Sequence, residues 1–322
     1  LNDENRTFVA AREGGAGTVY TDSPDLSFQI TVYDPAYYTP AWMRDAVIYQ
    51  IFPDRFRNGD RSNDPQDGAE TFYGELPLVF HATWNEPMLD GRVDKLPNGG
   101  GHWNSDFYGG DLAGITEKLD YLADLGVTAI YLNPIFEARS NHRYDTVDYL
   151  KIDPFLGTLE DFETLVSEAE QRGIKLILDG VFNHMSSESP YFDRYDRYPG
   201  KQGACESIDS PYRKWFFFAP PKANQPAPCA GDPNPLYYQS WFGFDTIPRV
   251  NNAIIETRRF FFLDEDSVAQ TWGRAGIGGW RMDVAPDIDN GRDPQNIYWE
   301  TFRAVVRRLN PETAIISEEW GD

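Results

Sequence analysis

The sequence predicts an α/β fold organised on a parallel sheet. Three observations carry that prediction: short apolar runs alternate with segments of helical period, the glycine-rich turns stand in the wrong order for a nucleotide-binding open sheet, and two long insertions follow strand ends. With 322 residues, 41% of them hydrophobic, the chain can bury a large core or two domains. Its 51 acidic and 29 basic side chains leave a net charge of -22. Such a field repels phosphate backbones and anionic lipid, so nucleic acid is not an expected partner. No run approaches the roughly 18 uninterrupted apolar residues of a membrane span, so none is expected.

Taken in order, residues 1–40 read as the tail of an N-terminal β-sandwich with its linker: Thr18-Val19-Tyr20 and residues 26–33 alternate, and Pro35 and Pro40 follow. The second domain, 41–322, carries strands expected at 47–52, 127–132, 174–178, 277–282 and 314–316. Helical period fills 112–125, 159–172, 253–272 and 297–309. Five strands fit either a doubly wound sheet or the first part of a (β/α)8 barrel. Gly14-Gly15-Ala16-Gly17 leads into a strand and Gly276-Ile277-Gly278-Gly279 follows a helix, the reverse of a phosphate-cradling strand-to-helix turn. The insertions, 53–110 and 182–251, lie after the first and third strands, where barrel enzymes build their sites. Five strands leave an edge that a barrel cannot have, so the barrel is expected to be incomplete. Its remaining strands would come from a longer chain, and residues 1–322 alone would be inactive or poorly folded.

Asp283 follows the fourth strand and Glu318 ends the fifth, one βαβ unit later, which brings two carboxyls to one rim. That is the placement of a retaining glycosidase's nucleophile and acid/base. Arg281, two residues before Asp283, points to the same side and is expected to lower its pKa; Glu318, near other acids, is expected to have a raised one. Ordinary ion pairing at a sheet end is the alternative. Aromatic residues make up 15% of the chain, many in polar Gly/Pro-rich stretches. Flat rings in wet loops suit the apolar faces of sugars or pack those loops onto the body.

The third strand runs into Asp179-Gly180-Val181-Phe182-Asn183-His184. With this segment, Gly279-Trp280-Arg281-Met282-Asp283 and Ser317-Glu318-Glu319-Trp320, the chain resembles the α-amylase superfamily of glycoside hydrolases over essentially its whole length, in motif order and spacing. The resemblance implies a TIM barrel with Asp283 as nucleophile, Glu318 as acid/base, and Arg281 and Asp179 organising the site. His142, Tyr144, His184 and Trp320 would contact the sugar. The barrel's start resembles the neopullulanase and cyclomaltodextrinase group, whereas residues 80–87 and 101–106 look like amylopullulanases. Ser317 replaces the usual Gly, and Ala285-Pro286-Asp287 replaces the Lys-His pair of common endo-acting amylases, which weighs against a simple liquefying amylase.

Asn58, Asp60, Asn63 and Asp64 form one oxygen-rich turn, readable as an Asx-rich turn or as a cation site. The related group binds calcium with similar residues plus a later Gly-x-Asp, so the resemblance implies a Ca2+ site that adds the Gly109 carbonyl and Asp111. Cys205 and Cys229, the only cysteines, share one insertion and read as a disulfide with an extracellular or cell-surface location; two unpaired thiols are the alternative. The expected function is retaining hydrolysis of α-glucosidic bonds in starch, pullulan or related α-glucans. The alternatives are a cyclodextrin-hydrolysing or transglycosylating relative and a non-catalytic glucan-binding fragment.

Overall fold

The computed structural model describes residues 8–10, 18–20, 38–66, 71–72, 76–94, 104–219, 229, 237–288 and 297–319. The chain divides into two units, 1–39 and 40–322. In the first, Phe8–Ala10 pairs antiparallel with Thr18–Tyr20; residues 26–33, where a further strand is expected, lie outside the described residues.

The second unit is built on five parallel strands, β1 (Ile48–Ile51), β2 (Ala129–Leu132), β3 (Lys175–Gly180), β4 (Gly279–Met282) and β5 (Ala314–Ser317). Each pairs with its predecessor in the chain, giving the order β1-β2-β3-β4-β5. A doubly wound sheet reverses direction at a switch point, so this unbroken order is that of a barrel wall. Leu176, Ile177 and Leu178 are all buried, as expected of a central parallel strand covered on both faces.

Helices α1 (Leu112–Glu117) and α2 (Leu119–Asp124) follow the first insertion, and α3 (Leu159–Gln171) follows β2. Thr158 starts α3 with a reciprocal capping box on Asp161, and Phe162, Leu165 and Ala169 are buried along one face. The single helix expected over 112–125 is broken at Lys118; the Thr116 hydroxyl donates to the Leu112 carbonyl, a back-bond that bends helices. The helix expected over 253–272 is also interrupted. It runs as α4 (Ile255–Arg258), a wide turn at Arg259–Leu263, and α5 (Val268–Arg274), and the Gln270 side chain takes up the freed carbonyls of Phe262 and Leu263. A short α6 (Ala285–Ile288) and α7 (Tyr298–Leu309) complete the layer.

The core joins strands to helices through large rings: Phe182 stacks on Phe261 at 4.5 Å and meets Trp280 and Phe302. Between β2 and α3 an unforeseen hairpin, Phe136–Ala138 against Thr146–Ile152, projects the segment 139–145. The second insertion has a small core of its own, where Phe192 meets Phe216 and Tyr238 at 4.7 Å each. Cys205 and Cys229 are joined there as a disulfide. Among the described residues no helix is long and apolar enough to cross a membrane.

Candidate active site

Strand register builds the site. Asp179 on β3 lies opposite Arg281 on β4, and Met282 lies opposite Ser317 on β5. The ladder runs one residue past the strands, with Asp283 N–H on the Gly180 carbonyl and Glu318 N–H on the Met282 carbonyl, so backbone fixes both side chains at the rim. Arg281 binds three carboxylates at once: Nη1 donates to Asp179 at 2.9 Å and to Asp283 at 2.7 Å, and Nη2 lies 2.7 Å from Glu318. Val284, directly after Asp283, takes a left-handed φ of 50° that a β-branched residue rarely adopts, and its N–H donates to Glu318 Oε2 at 2.8 Å.

One cation among three acids reverses one expectation. Arg281 was expected to hold Asp283 low; instead burial, followed by the negative field of Asp179, pushes Asp283 up to about 8, and the guanidinium offsets only part of this. Burial likewise raises Asp179 to about 6, against Arg281 and two tyrosine hydroxyls. A structural ion pair would balance its charges; this cluster keeps an excess of acid.

The hydroxyls come from Tyr144, which donates to Asp179 Oδ2 at 2.9 Å, and from Tyr131 on β2, which binds the same oxygen. Sequence reasoning missed Tyr131; its position at the end of a strand, on the face that Asp179 shares, was the available signal. Gln50 and Asn133 extend the chain of hydrogen bonds to the Tyr144 hydroxyl. Ser140 Oγ meets His142 Nδ1 at 3.0 Å and binds Asp145, which fixes the imidazole; burial lowers the His142 pKa. Burial pushes His184 down to about 3, so it faces the site neutral. Asp283, Glu318, Arg281, His142, Tyr144 and His184 line one cavity of about 470 Å3, with Asp179 behind them on Arg281. The second insertion lines the same cavity with Trp241, Phe244, Thr246 and Ile247, none of which the sequence assigns to the site. Trp320 lies outside the described residues.

The oxygen-rich turn folds against α1. Asp111 caps the helix at Gly114 N–H, at 2.6 Å, and also accepts the N–H groups of Gly59 and Asp60. Asp60 caps Ser62, and Asn58 donates to Asp64 at 2.5 Å. Burial raises the Asp64 pKa. Gly109, at φ 73°, lies where a Cβ would meet Asp64 and Asn58 atoms at 2.4 and 2.6 Å, so only glycine fits. The buried Oδ1 atoms of Asn58 and Asn63 have no hydrogen-bond partner. Orphaned neutral oxygens beside carboxylates fit a hard cation, the donor set expected for Ca2+. Elsewhere among the described residues, Asp193, Asp196 and Glu206 bring carboxylate oxygens within 4.8 Å of one another.

Residues 50–322 match the α-amylase catalytic domain family. The chain is 40% identical over 329 residues to an amylopullulanase of Thermoanaerobacterium saccharolyticum, covering 96% of this chain and 24% of the relative. It is 38% identical over 284 residues to neopullulanase 2 of Thermoactinomyces vulgaris, covering 88% and 40%. Among solved structures, the type III pullulan hydrolase from Thermococcus kodakarensis superimposes with a TM-score of 0.69 at 29% identity, covering 95% of this chain and 48% of that one. The chain therefore spans a quarter to a half of the length of these relatives.

Proposed function

Because the chain belongs to the α-amylase catalytic domain family, we propose that it supplies the catalytic machinery of a retaining hydrolase of α-glucans such as starch or pullulan. The observation that carries the proposal is Arg281 holding Asp179, Asp283 and Glu318 from three adjacent strands on the wall of one cavity. Asp283 attacks the anomeric carbon while Glu318 protonates the departing glycosidic oxygen, leaving a glycosyl ester on Asp283. Glu318 then takes a proton from water, which attacks the same carbon and releases Asp283. The excess of acid around Arg281 disfavours the resting site, and the positive charge of the oxocarbenium-like transition state relieves it. Stabilisation that grows toward the transition state raises turnover rather than affinity alone. Neutral His142 and His184 donate to, or accept from, sugar hydroxyls; Tyr144 orders Asp179, and Trp320 belongs to the same subsite in this reading.

The wider proposal is a (β/α)8 barrel whose further strands come from a longer gene product. Asn58, Asp60, Asn63, Asp64, Gly109 and Asp111 would hold Ca2+, which would clamp the first insertion to α1. The disulfide supports an extracellular or cell-surface setting. The test uses the full-length gene product on pullulan, starch and cyclodextrin, with proton NMR of the first product formed. The proposal requires the α-anomer; an initial β-anomer, or no cleavage of any α-glucan, refutes it. Dominant cyclodextrin opening or transfer products would move the assignment to the cyclodextrinase-like alternative.

A further inference from the structure

The turn that follows Asp283 is restrained from two directions. Val284 is buried, and its left-handed backbone aims its N–H at Glu318 Oε2, 2.8 Å away. A β-branched residue keeps such a conformation only where its surroundings over-determine it. Part of that restraint is local: the Asp287 N–H donates to the Val284 carbonyl at 3.0 Å and closes the turn. The rest comes from the second insertion, where Arg249 Nη2 donates to the Asp287 carbonyl and lies 3.7 Å from the Asp287 carboxylate. Backbone fixes Arg249 in its own place. It forms an antiparallel bridge with His184, and its N–H donates to the Gln239 carbonyl at 2.8 Å.

We propose that Arg249 is a positioning residue for the acid/base Glu318: it pins the turn at Asp287, the pinned turn keeps Val284 left-handed, and the Val284 amide holds Glu318 Oε2. This inference rests on the α-glucan hydrolase reading above. Arg281 Nη2 holds the other oxygen, Oε1, at 2.7 Å, and a carboxyl gripped through both oxygens cannot turn away from the bond it must protonate. Among the described residues Arg249 lies outside the lining of the cavity, so its effect passes through Val284. That route predicts a signature. A departing sugar oxygen needs the proton of Glu318, whereas the fluoride of α-maltosyl fluoride leaves as an anion when Asp283 attacks the anomeric carbon and the C–F bond breaks. Losing Arg249 therefore slows the first reaction and spares the second.

The experiment compares kcat/KM of the full-length protein on two substrates: α-maltosyl fluoride, and pullulan or starch, whichever the wild type cleaves faster. This ratio reports the step that forms the glycosyl ester. Arg249→Ala is expected to lower it about a hundredfold on the glucan, through kcat with KM nearly unchanged, and about threefold at most on the fluoride. Arg249→Lys, which keeps a donor for the Asp287 carbonyl, should recover most of the loss. If Arg249→Ala does not fold, Arg249→Met keeps the aliphatic stem without the donor and carries the same test. Equal losses on the two substrates overturn the inference, because a general disturbance of the site would slow both. An undiminished rate on the glucan, or a loss that Arg249→Lys does not recover, overturns it too. Turnover of neither substrate by the wild type overturns the hydrolase reading and this inference with it; turnover of both, with equal losses in the variant, removes this inference alone.

Discussion

Around Asp111, carboxylate oxygens are met by backbone amides and a helix start; around Arg281, three carboxylates share one guanidinium. Both groups are acidic. Backbone amides hold Asp111 and make it part of what ties the insertion to α1, and the unpartnered Asn58 and Asn63 oxygens leave the remaining acid a place for a cation. The second is left short of positive charge, and Asp179 and Asp283 sit at raised pKa values. An acidic cluster that amides and a cation can balance holds structure, whereas one kept out of balance stores energy that a substrate can release.

The largest test of that contrast is Asp283→Asn. Turnover of the full-length protein should fall roughly 10^4-fold while glucan binding survives. Stability should move the other way. A carboxyl raised from 3.8 to about 8 in the folded state contributes stability below its unfolded pKa and loses it as pH rises through 8. The neutral amide avoids that loss, so the variant should melt several degrees higher at pH 8 and no higher at pH 4. A lower melting temperature at pH 8 would break the comparison.

Asp111→Ala makes the opposite statement: it should cost about 2–4 kcal/mol, because a helix cap and the acceptor for two loop amides go together. Chelator should lower the melting temperature of the wild type and added Ca2+ restore it, by about 3 kcal/mol at a hundredfold excess over Kd. An unchanged melting curve with no ion by elemental analysis would leave the region held by amides alone. Asp179→Asn gives a smaller, diagnostic effect. Removing a negative neighbour lets Asp283 ionise sooner, so the acid limb of residual kcat/KM should move about one unit toward lower pH. A limb that stays put or rises would show that the excess of charge is not felt at Asp283.

All five strands and the motif residues at their ends could be read from the sequence, because β3, β4 and β5 write Asp179, Arg281, Asp283 and Glu318 at fixed register. The charge balance could not. Strand spacing puts Arg281 beside Asp283, and only the packed sheet shows Asp179 and Glu318 on the same guanidinium. Tyr131 was passed over because a strand tyrosine reads as core. Phe244 was passed over because the second insertion holds many rings, and Phe192, Phe216 and Tyr238 do form its core. The helix breaks at Lys118 and after Leu263 depend on side-chain capping, which apolar periodicity does not register.

The unbroken strand order has a consequence for how the molecule comes into being. Each strand finds its partner in the strand before it, so a chain emerging from the ribosome can add one layer at a time without threading back. The slow steps are then the pauses between layers. β4 must wait for the insertion that separates it from β3, and until it docks, the Gly180 edge is an open hydrogen-bonding template that a neighbouring nascent chain could occupy.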